Sequence, residues 1–178
     1  MNNLKYALTT MLAVVSTWAL HEFTHWITAE ALGNDMIMTL NTCYPKSGEY
    51  IESWHATVIS AAGPVVTLIQ AIIFYYLLKR ISNKSLFPFL LTCLYMRFLA
   101  GVMNFINPND EGRVSVDLGL GKFTLSIIIV GILFYLTYNI SKTMGLKAKQ
   151  ILITTLLIML FSSIIILADQ SLKLIILG

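Results

Sequence analysis

The sequence predicts an all-α integral membrane protein with about five transmembrane helices. Two observations support this prediction, the scarcity of charge and the recurrence of long apolar segments. Of the 178 residues, 57% are hydrophobic and only 12% are charged. A soluble domain usually carries about 25% charged residues. So few charged side chains cannot cover a water-exposed surface, and we therefore expect a single membrane domain over residues 1–178.

Five apolar segments approach or exceed the roughly 20 residues that a helix needs to cross the hydrocarbon layer. Backbone groups inside lipid must be hydrogen bonded within their own segment, so we expect helices rather than open strands. The segments cover about residues 6–32, 56–78, 86–105, 123–140 and 151–167. The tail at 172–177 is too short to span.

Two connections between these segments are long. In the first, residues 36–40 and 49–53 alternate weakly around a turn at 45–48, which predicts a short β-hairpin at the membrane surface. The second, residues 104–122, is polar and rich in glycine and contains Pro108.

Basic residues in short loops favour the cytoplasmic side of a membrane. The turns after the second and fourth segments each carry three of them, Lys79, Arg80 and Lys84 in one and Lys142, Lys147 and Lys149 in the other. The first connection carries only Lys46. We therefore expect a multi-pass protein of the cell inner or plasma membrane, with the N-terminus inside and the C-terminus outside.

Net charge and cysteine content exclude two function classes. The formal charge of +3 and the lack of a dense basic run argue against a nucleic-acid partner. Cys43 and Cys93 are too few for a metal knuckle or a disulfide framework.

The first predicted helix contains the motif His21-Glu22-Phe23-Thr24-His25. Histidines four residues apart lie on one helical face, where both can bind one Zn²⁺ at about 2.0–2.1 Å. Glu22 is rotated by about 100° from His21, which suits a general base beside the metal. A proton relay or a polar contact between helices is the alternative, but such residues are costly in lipid and seldom cluster without a use.

A catalytic zinc ion usually has three protein ligands, and the first helix offers only two. The candidates for the third are His55, Asp110, Glu111, Asp117 and Glu30. Asp110 and Glu111 follow the third helix on the same side as the histidines, after a turn at 107–109 that can direct a carboxylate inward. His55 also suits an interfacial histidine, and Asp117 suits a solvated loop or a helix cap.

With these motifs in order, the chain resembles the site-2 protease family of intramembrane zinc metalloproteases over about residues 6–121. The histidine motif matches the family's metal motif. Ser60-Ala61-Ala62-Gly63-Pro64 resembles its Ala-Gly-Pro element, and residues 104–112 resemble its Asn-Pro…Asp-Gly element. The resemblance implies a catalytic core over these residues, with additional helices at 123–167, and implies that the aspartate of the last element is the third zinc ligand.

Two departures from the family pattern affect these expectations. Glu111 stands between Asp110 and Gly112, so alignment on the glycine favours Glu111 whereas residue type favours Asp110, which we prefer. The family usually holds its zinc near the cytosolic face, but the basic turns here place it nearer the outside.

The same elements offer candidates for other roles. Asn104 and Asn107 can donate hydrogen bonds to a substrate backbone or a developing oxyanion, and their alternative role is helix termination. Gly63 allows close backbone approach. Arg97 is costly at membrane depth, and we expect it to pair with a carboxylate or to reach a headgroup.

The predicted function is that of a zinc metalloendopeptidase that cleaves membrane-embedded or membrane-adjacent proteins or peptides. Glu22 is the predicted base, and His21, His25 and Asp110 are the predicted ligands, with Glu111 as the runner-up. The residues 33–54 can hold an extended substrate by edge pairing. Two alternatives stay open, a zinc-binding scaffold or chaperone without turnover and an ion or proton carrier.

Overall fold

The computed structural model describes residues 3–178, which form six α-helices and one small antiparallel sheet. A helix lies at each of the five apolar segments. The elements are α1 (Asn3–Ala31), β1 (Met36–Met38), β2 (Cys43–Pro45), α2 (Ser53–Ile81), α3 (Phe87–Met103), α4 (Asp110–Asp117), α5 (Thr124–Thr143) and α6 (Ala148–Leu172), with a 3-10 turn at Lys84–Leu86 before α3.

Four helices are long and apolar enough to cross a membrane, namely α2, α3 with its preceding turn, α5 and α6. Their outer faces carry exposed large apolar side chains such as Ile127, Phe134, Leu152 and Leu160. Exposed apolar faces of this extent are typical of contact with lipid. Helix α1 has 29 residues, but it is not among the four because its polar residues lower its hydropathy.

The hydrophobic core lies between α1, α2, α3, α5 and α6. Trp18 of α1, Leu78 of α2 and Leu90 of α3 pack in one buried cluster with Leu133 of α5 and Ile158 of α6. This packing fixes α1 against α2 and α3, and those three helices carry most of the polar residues discussed below.

The predicted hairpin is present, but its second strand was placed wrongly. Strand β1 lies where it was expected, whereas its partner is β2, with Met36 opposite Pro45 and Met38 opposite Cys43. Residues 49–53 form no strand. The reason is a tighter turn, in which the Thr39 N–H donates to the Thr42 carbonyl at 2.8 Å.

The C-terminal tail pairs with the free edge of β1. The Met38 N–H donates to the Leu177 carbonyl, and the Ile176 N–H donates to the Met38 carbonyl, both at 2.8 Å. Asp169, near the end of α6, accepts a hydrogen bond from the Leu40 N–H at 2.9 Å. The hairpin and the chain's C-terminus therefore lie at the same end of the helix bundle.

The connection 104–122 contains a helix, α4, that the sequence analysis did not predict. Asn109 caps this helix by accepting a hydrogen bond from the Asp110 N–H at 2.9 Å, and acidic residues in the first turn suit its N-terminus. The helix is short and amphipathic, and one side of it, including Val114 and Ser115, is buried. The average polarity of this segment does not reveal that one side of α4 is buried.

Candidate metal centre

Three side chains from two distant parts of the chain meet at one buried point. His21 and His25 come from α1, where their four-residue spacing places them on one face, and Asp110 comes from the first residue of α4. All three residues are buried. This group is the ligand set that the sequence predicted, and it could hold a metal ion.

The distances within the group fit a tetrahedral metal site. Asp110 Oδ2 lies 3.1 Å from His21 Nε2 and 3.5 Å from His25 Nε2, and the two Nε2 atoms are 3.1 Å apart. Ligand atoms around a tetrahedral zinc ion at 2.0–2.1 Å are about 3.3 Å from each other. The triangle could therefore provide three of the four ligand positions of such a site.

The outer ring nitrogens show why a cation fits here. His25 Nδ1 donates to the main-chain carbonyl of Ile59 at 2.6 Å, since a carbonyl can only accept. His21 Nδ1 lies 3.1 Å from Thr67 Oγ1, and that hydroxyl already donates its own proton to the Gly63 carbonyl at 2.9 Å. Each neutral imidazole thus presents its Nε2 lone pair to a carboxylate oxygen. Three acceptor atoms that face one another could hold a cation between them.

Helix α2 approaches the histidines through Gly63. A Cβ atom at this position would lie 2.7 Å from His21 Nδ1 and would overlap His21 Cε1 and His25 Nε2. Pro64 follows directly and cannot donate to the carbonyl one turn earlier, at Ser60. The close approach expected at Gly63 is therefore present, and its partners are the two histidine rings.

The other candidates for the third ligand lie elsewhere. Glu111 Oε1 accepts a hydrogen bond from Arg97 at 3.1 Å. His55 Nδ1 lies 3.0 Å from the Asn34 amide nitrogen, and Glu30 accepts from the Met36 N–H at 3.0 Å. Asp117 accepts from the Thr57 hydroxyl at 2.6 Å, which joins α4 to α2. The structure thus places Asp110, rather than any of these four residues, against the histidines.

Arg97 pairs with carboxylates, as the sequence analysis expected, and also contacts the candidate ligands. Its Nη1 lies 3.4 Å from Asp110 Oδ2 and 3.1 Å from Glu111 Oε1, and its Nη2 lies 3.3 Å from His21 Nε2. Burial raises the pKa of the Glu111 carboxyl, and the positive charge of Arg97 opposes that rise.

A cavity of about 520 Å³ opens in front of the three ligands. Glu22 lies in its wall, and no side chain among residues 3–178 hydrogen bonds the Glu22 carboxylate. The remaining wall includes Tyr50, Asn107 and Arg113, with part of the hairpin and the end of α6. The cavity therefore has room for a ligand much larger than water beside a free carboxylate.

The two asparagines proposed to face the substrate lie in different places. The amide of Asn104 is fully buried, accepting from the Asn109 N–H at 2.6 Å and donating to Ser126 Oγ at 2.9 Å. Asn104 thus positions the start of α4 and does not line the cavity, whereas Asn107 does.

Sequence reasoning missed the groups that orient the rings. Thr67 lies one helical turn after Gly63 on the same face of α2, and this spacing is the signal that could have identified it. The Ile59 carbonyl is a main-chain group, so no residue type in the sequence marks it.

The geometry thus defines a helical protein with a buried candidate metal centre at one end of its bundle. The sequence matches no family model, and comparison with curated proteins and solved structures finds no similar chain.

Proposed function

We propose that this chain is a membrane-embedded zinc peptidase that uses His21, His25 and Asp110 as metal ligands. The observation that carries the proposal is the buried triangle of ligand atoms, 3.1–3.5 Å on each side, next to the free carboxylate of Glu22. A metal ion with three protein ligands keeps one position open, which is typical of catalytic rather than structural zinc.

Different residues of the chain would have different roles in peptide-bond hydrolysis. Zinc bound at this site would acidify a water molecule and polarise a carbonyl group. Glu22 would take a proton from the attacking water as the oxygen bonds to the carbonyl carbon, and would give that proton to the amine as the C–N bond breaks. Thr67 and the Ile59 carbonyl would hold the histidine rings in the required tautomer.

The cavity favours an extended peptide as the substrate. It lies beside the hairpin, and its wall includes Asn41, Thr42 and Cys43 at the start of β2. Strand β1 is paired on both edges, with β2 and with the tail, so an added peptide strand would have to pair with β2. A helical substrate must unwind first because its carbonyl groups are already hydrogen bonded.

Burial of the site among long apolar helices supports a substrate in or beside the membrane. We propose that α1 is a fifth transmembrane helix, since its 29 residues extend about 44 Å. Its polar residues near the C-terminal end face Asp110 and α2 rather than lipid. An inward-facing polar cluster of this kind is the arrangement that makes ionisable residues tolerable at membrane depth.

Cleavage of a defined mixture of peptides tests the proposal. Purified protein in detergent micelles, loaded with zinc, is incubated with a proteome-derived peptide mixture in water enriched in ¹⁸O. Hydrolysis inserts one ¹⁸O atom into each new C-terminal carboxylate, which mass spectrometry detects. Glu22→Gln is the matched control, because the amide keeps the shape of Glu22 but cannot take the proton.

Each alternative function predicts a different result. Stoichiometric zinc without any ¹⁸O-labelled product would refute the peptidase and favour the scaffold. Absence of zinc, together with proton flux into liposomes that Glu22→Gln abolishes, would favour the carrier. Labelled product from the wild type and none from Glu22→Gln would support the peptidase.

A further inference from the structure

We infer that Arg97 is a further catalytic residue, donating a hydrogen bond to the substrate oxygen that becomes anionic, and that Glu111 positions it. This inference rests on the proposed function. Arg97 comes from α3, outside all three motifs that carry the family resemblance.

The position of the guanidinium is the first observation. Its two terminal nitrogens lie 3.3 Å from His21 Nε2 and 3.4 Å from Asp110 Oδ2, and both of these are candidate ligand atoms. Arg97 also lines the cavity that contains Glu22. A substrate carbonyl that reacts between Glu22 and the ligands must therefore come close to this cation.

The unused hydrogen-bond donors of Arg97 are the second observation. Nη1 already serves two carboxylates, Asp110 and Glu111. The contact that the structure gives Nη2 is with the lone pair of His21 Nε2, which a bound metal ion would claim. Nε is buried and has no partner among residues 3–178. Nη2 is therefore the donor that would be free for a substrate oxygen, and a preorganised cationic donor can stabilise an oxyanion.

Glu111 explains how an arginine can lie against a cation site. Its Oε1 accepts from Nη1 at 3.1 Å, and the Glu111 side chain is 1% exposed. Charge repulsion between Arg97 and a divalent ion would otherwise favour displacement of the arginine. The departure from the family pattern at residue 111 thus supplies the compensating charge for this residue, and Asp110 remains free to be the ligand.

A purely structural role for Arg97, in which it only holds Asp110 in place, predicts different behaviour. Arg113 offers the comparison, because its Nη2 also lies near Asp110, 3.6 Å from Oδ1, but its side chain is half exposed. If charge near Asp110 were the only requirement, loss of either arginine would have a similar effect. If donation to substrate matters, only loss of Arg97 lowers the rate of the chemical step.

The test compares Arg97→Gln with Arg113→Gln in the zinc-loaded protein, on the peptide that the wild type cleaves best. For Arg97→Gln we expect kcat to fall about 100- to 1,000-fold, the usual effect of removing an oxyanion donor, with KM changed by less than about threefold. Binding of a phosphinic analogue of that peptide, measured by calorimetry, should weaken by a similar factor. Zinc content should be unchanged. Arg113 lines the same cavity, so Arg113→Gln should raise KM, but without a comparable fall in kcat.

A second variant keeps the test decisive if Arg97→Gln misfolds or loses zinc. Arg97→Met with Glu111→Met removes both charges of the buried pair, a replacement that proteins often tolerate. Loss of kcat and of phosphinic-peptide binding with zinc retained supports the inference. Wild-type kcat with zinc retained, or loss of zinc from both variants, overturns it. The peptidase proposal fails separately, if the wild type itself neither binds zinc nor cleaves.

Discussion

His25 Nδ1 and the main-chain carbonyl of Ile59 are 2.6 Å apart, and this contact determines what His25 can bind. Because the carbonyl only accepts, the proton of a neutral imidazole lies on Nδ1 and the lone pair on Nε2. That lone pair faces His21 and Asp110. A main-chain group of α2 therefore orients a side chain of α1 so that it could bind a metal ion, and the three-residue group exists only if the two helices keep their register.

The first prediction concerns how strongly each candidate ligand contributes to zinc affinity. Purified wild-type protein should contain about one zinc per chain. Asp110→Ala should weaken zinc affinity at least about 100-fold because it removes a ligand. Loss of a residue that only hydrogen bonds to a ligand usually has a smaller effect. Zinc content by mass spectrometry and competition with a fluorescent chelator measure both quantities.

Glu111→Ala and Asp117→Ala are the matched controls for that experiment. Asp117 is bound to the Thr57 hydroxyl and Glu111 to Arg97, so neither should lower zinc affinity as much as Asp110→Ala. If Glu111→Ala has the larger effect, the third ligand is Glu111, and alignment on Gly112 is correct.

The close approach of Gly63 to the histidines gives the second prediction. Gly63→Ala should abolish zinc binding, because the added methyl group would overlap His21 and His25. Overpacking of this kind costs about 1–3 kcal/mol, so the helices should persist while the site is lost. Circular dichroism and zinc content measure the two effects separately.

Gly131→Ala is the control for this substitution, because a Cβ atom there has no described neighbour within 4 Å. It should keep zinc and should not lower the melting temperature. Normal zinc affinity in Gly63→Ala would show that α2 does not approach the rings as closely as the structure indicates.

The contrast between Asn104 and Asn107 gives the third prediction. Asn104→Ala removes the acceptor for the Asn109 N–H and the donor to Ser126, which should cost about 1–3 kcal/mol of stability. It should also weaken zinc binding, since Asp110 follows directly. Asn107→Ala should leave the melting temperature unchanged and raise KM, because Asn107 lines the cavity. A thermal melt followed by kinetics distinguishes these effects, and the opposite pattern would exchange the two roles.

Much of this site was visible in the sequence because helix geometry alone fixes it. The spacing of His21 and His25 determines that they share a face, and the apolar segments locate the helices on either side. The choice between Asp110 and Glu111 was not visible, because the two carboxylates are neighbours in the first turn of α4. Only the packing of α4 against α2, α3 and α5 decides which of them faces the histidines.

The second strand of the hairpin, in contrast, could not be located from the sequence. Three-residue strands such as β1 and β2 carry little periodicity, so the weak alternation at residues 49–53 was mistaken for a strand. The true register depends on the turn at residues 39–42 and on the tail that pairs with β1. Such long-range pairing has no local signal in the sequence.

The last prediction concerns the orientation of the bundle in the membrane. The C-terminal tail is hydrogen bonded to β1, so positions 46 and 178 must lie on one side of the membrane. Tyr6 contacts Thr154 at 2.7 Å, which places the start of α1 beside the start of α6, at the end that carries the turns near positions 84 and 147. Three basic residues in each of those turns predict that this end is cytoplasmic.

Single cysteines at these four positions, with Cys43 and Cys93 replaced by alanine, should therefore react with an impermeant reagent from outside intact cells only at 46 and 178. The reverse labelling pattern would place the candidate metal centre near the cytosol and leave its ligands unchanged. Labelling of 46 and 178 from opposite sides would contradict the pairing of the tail with β1.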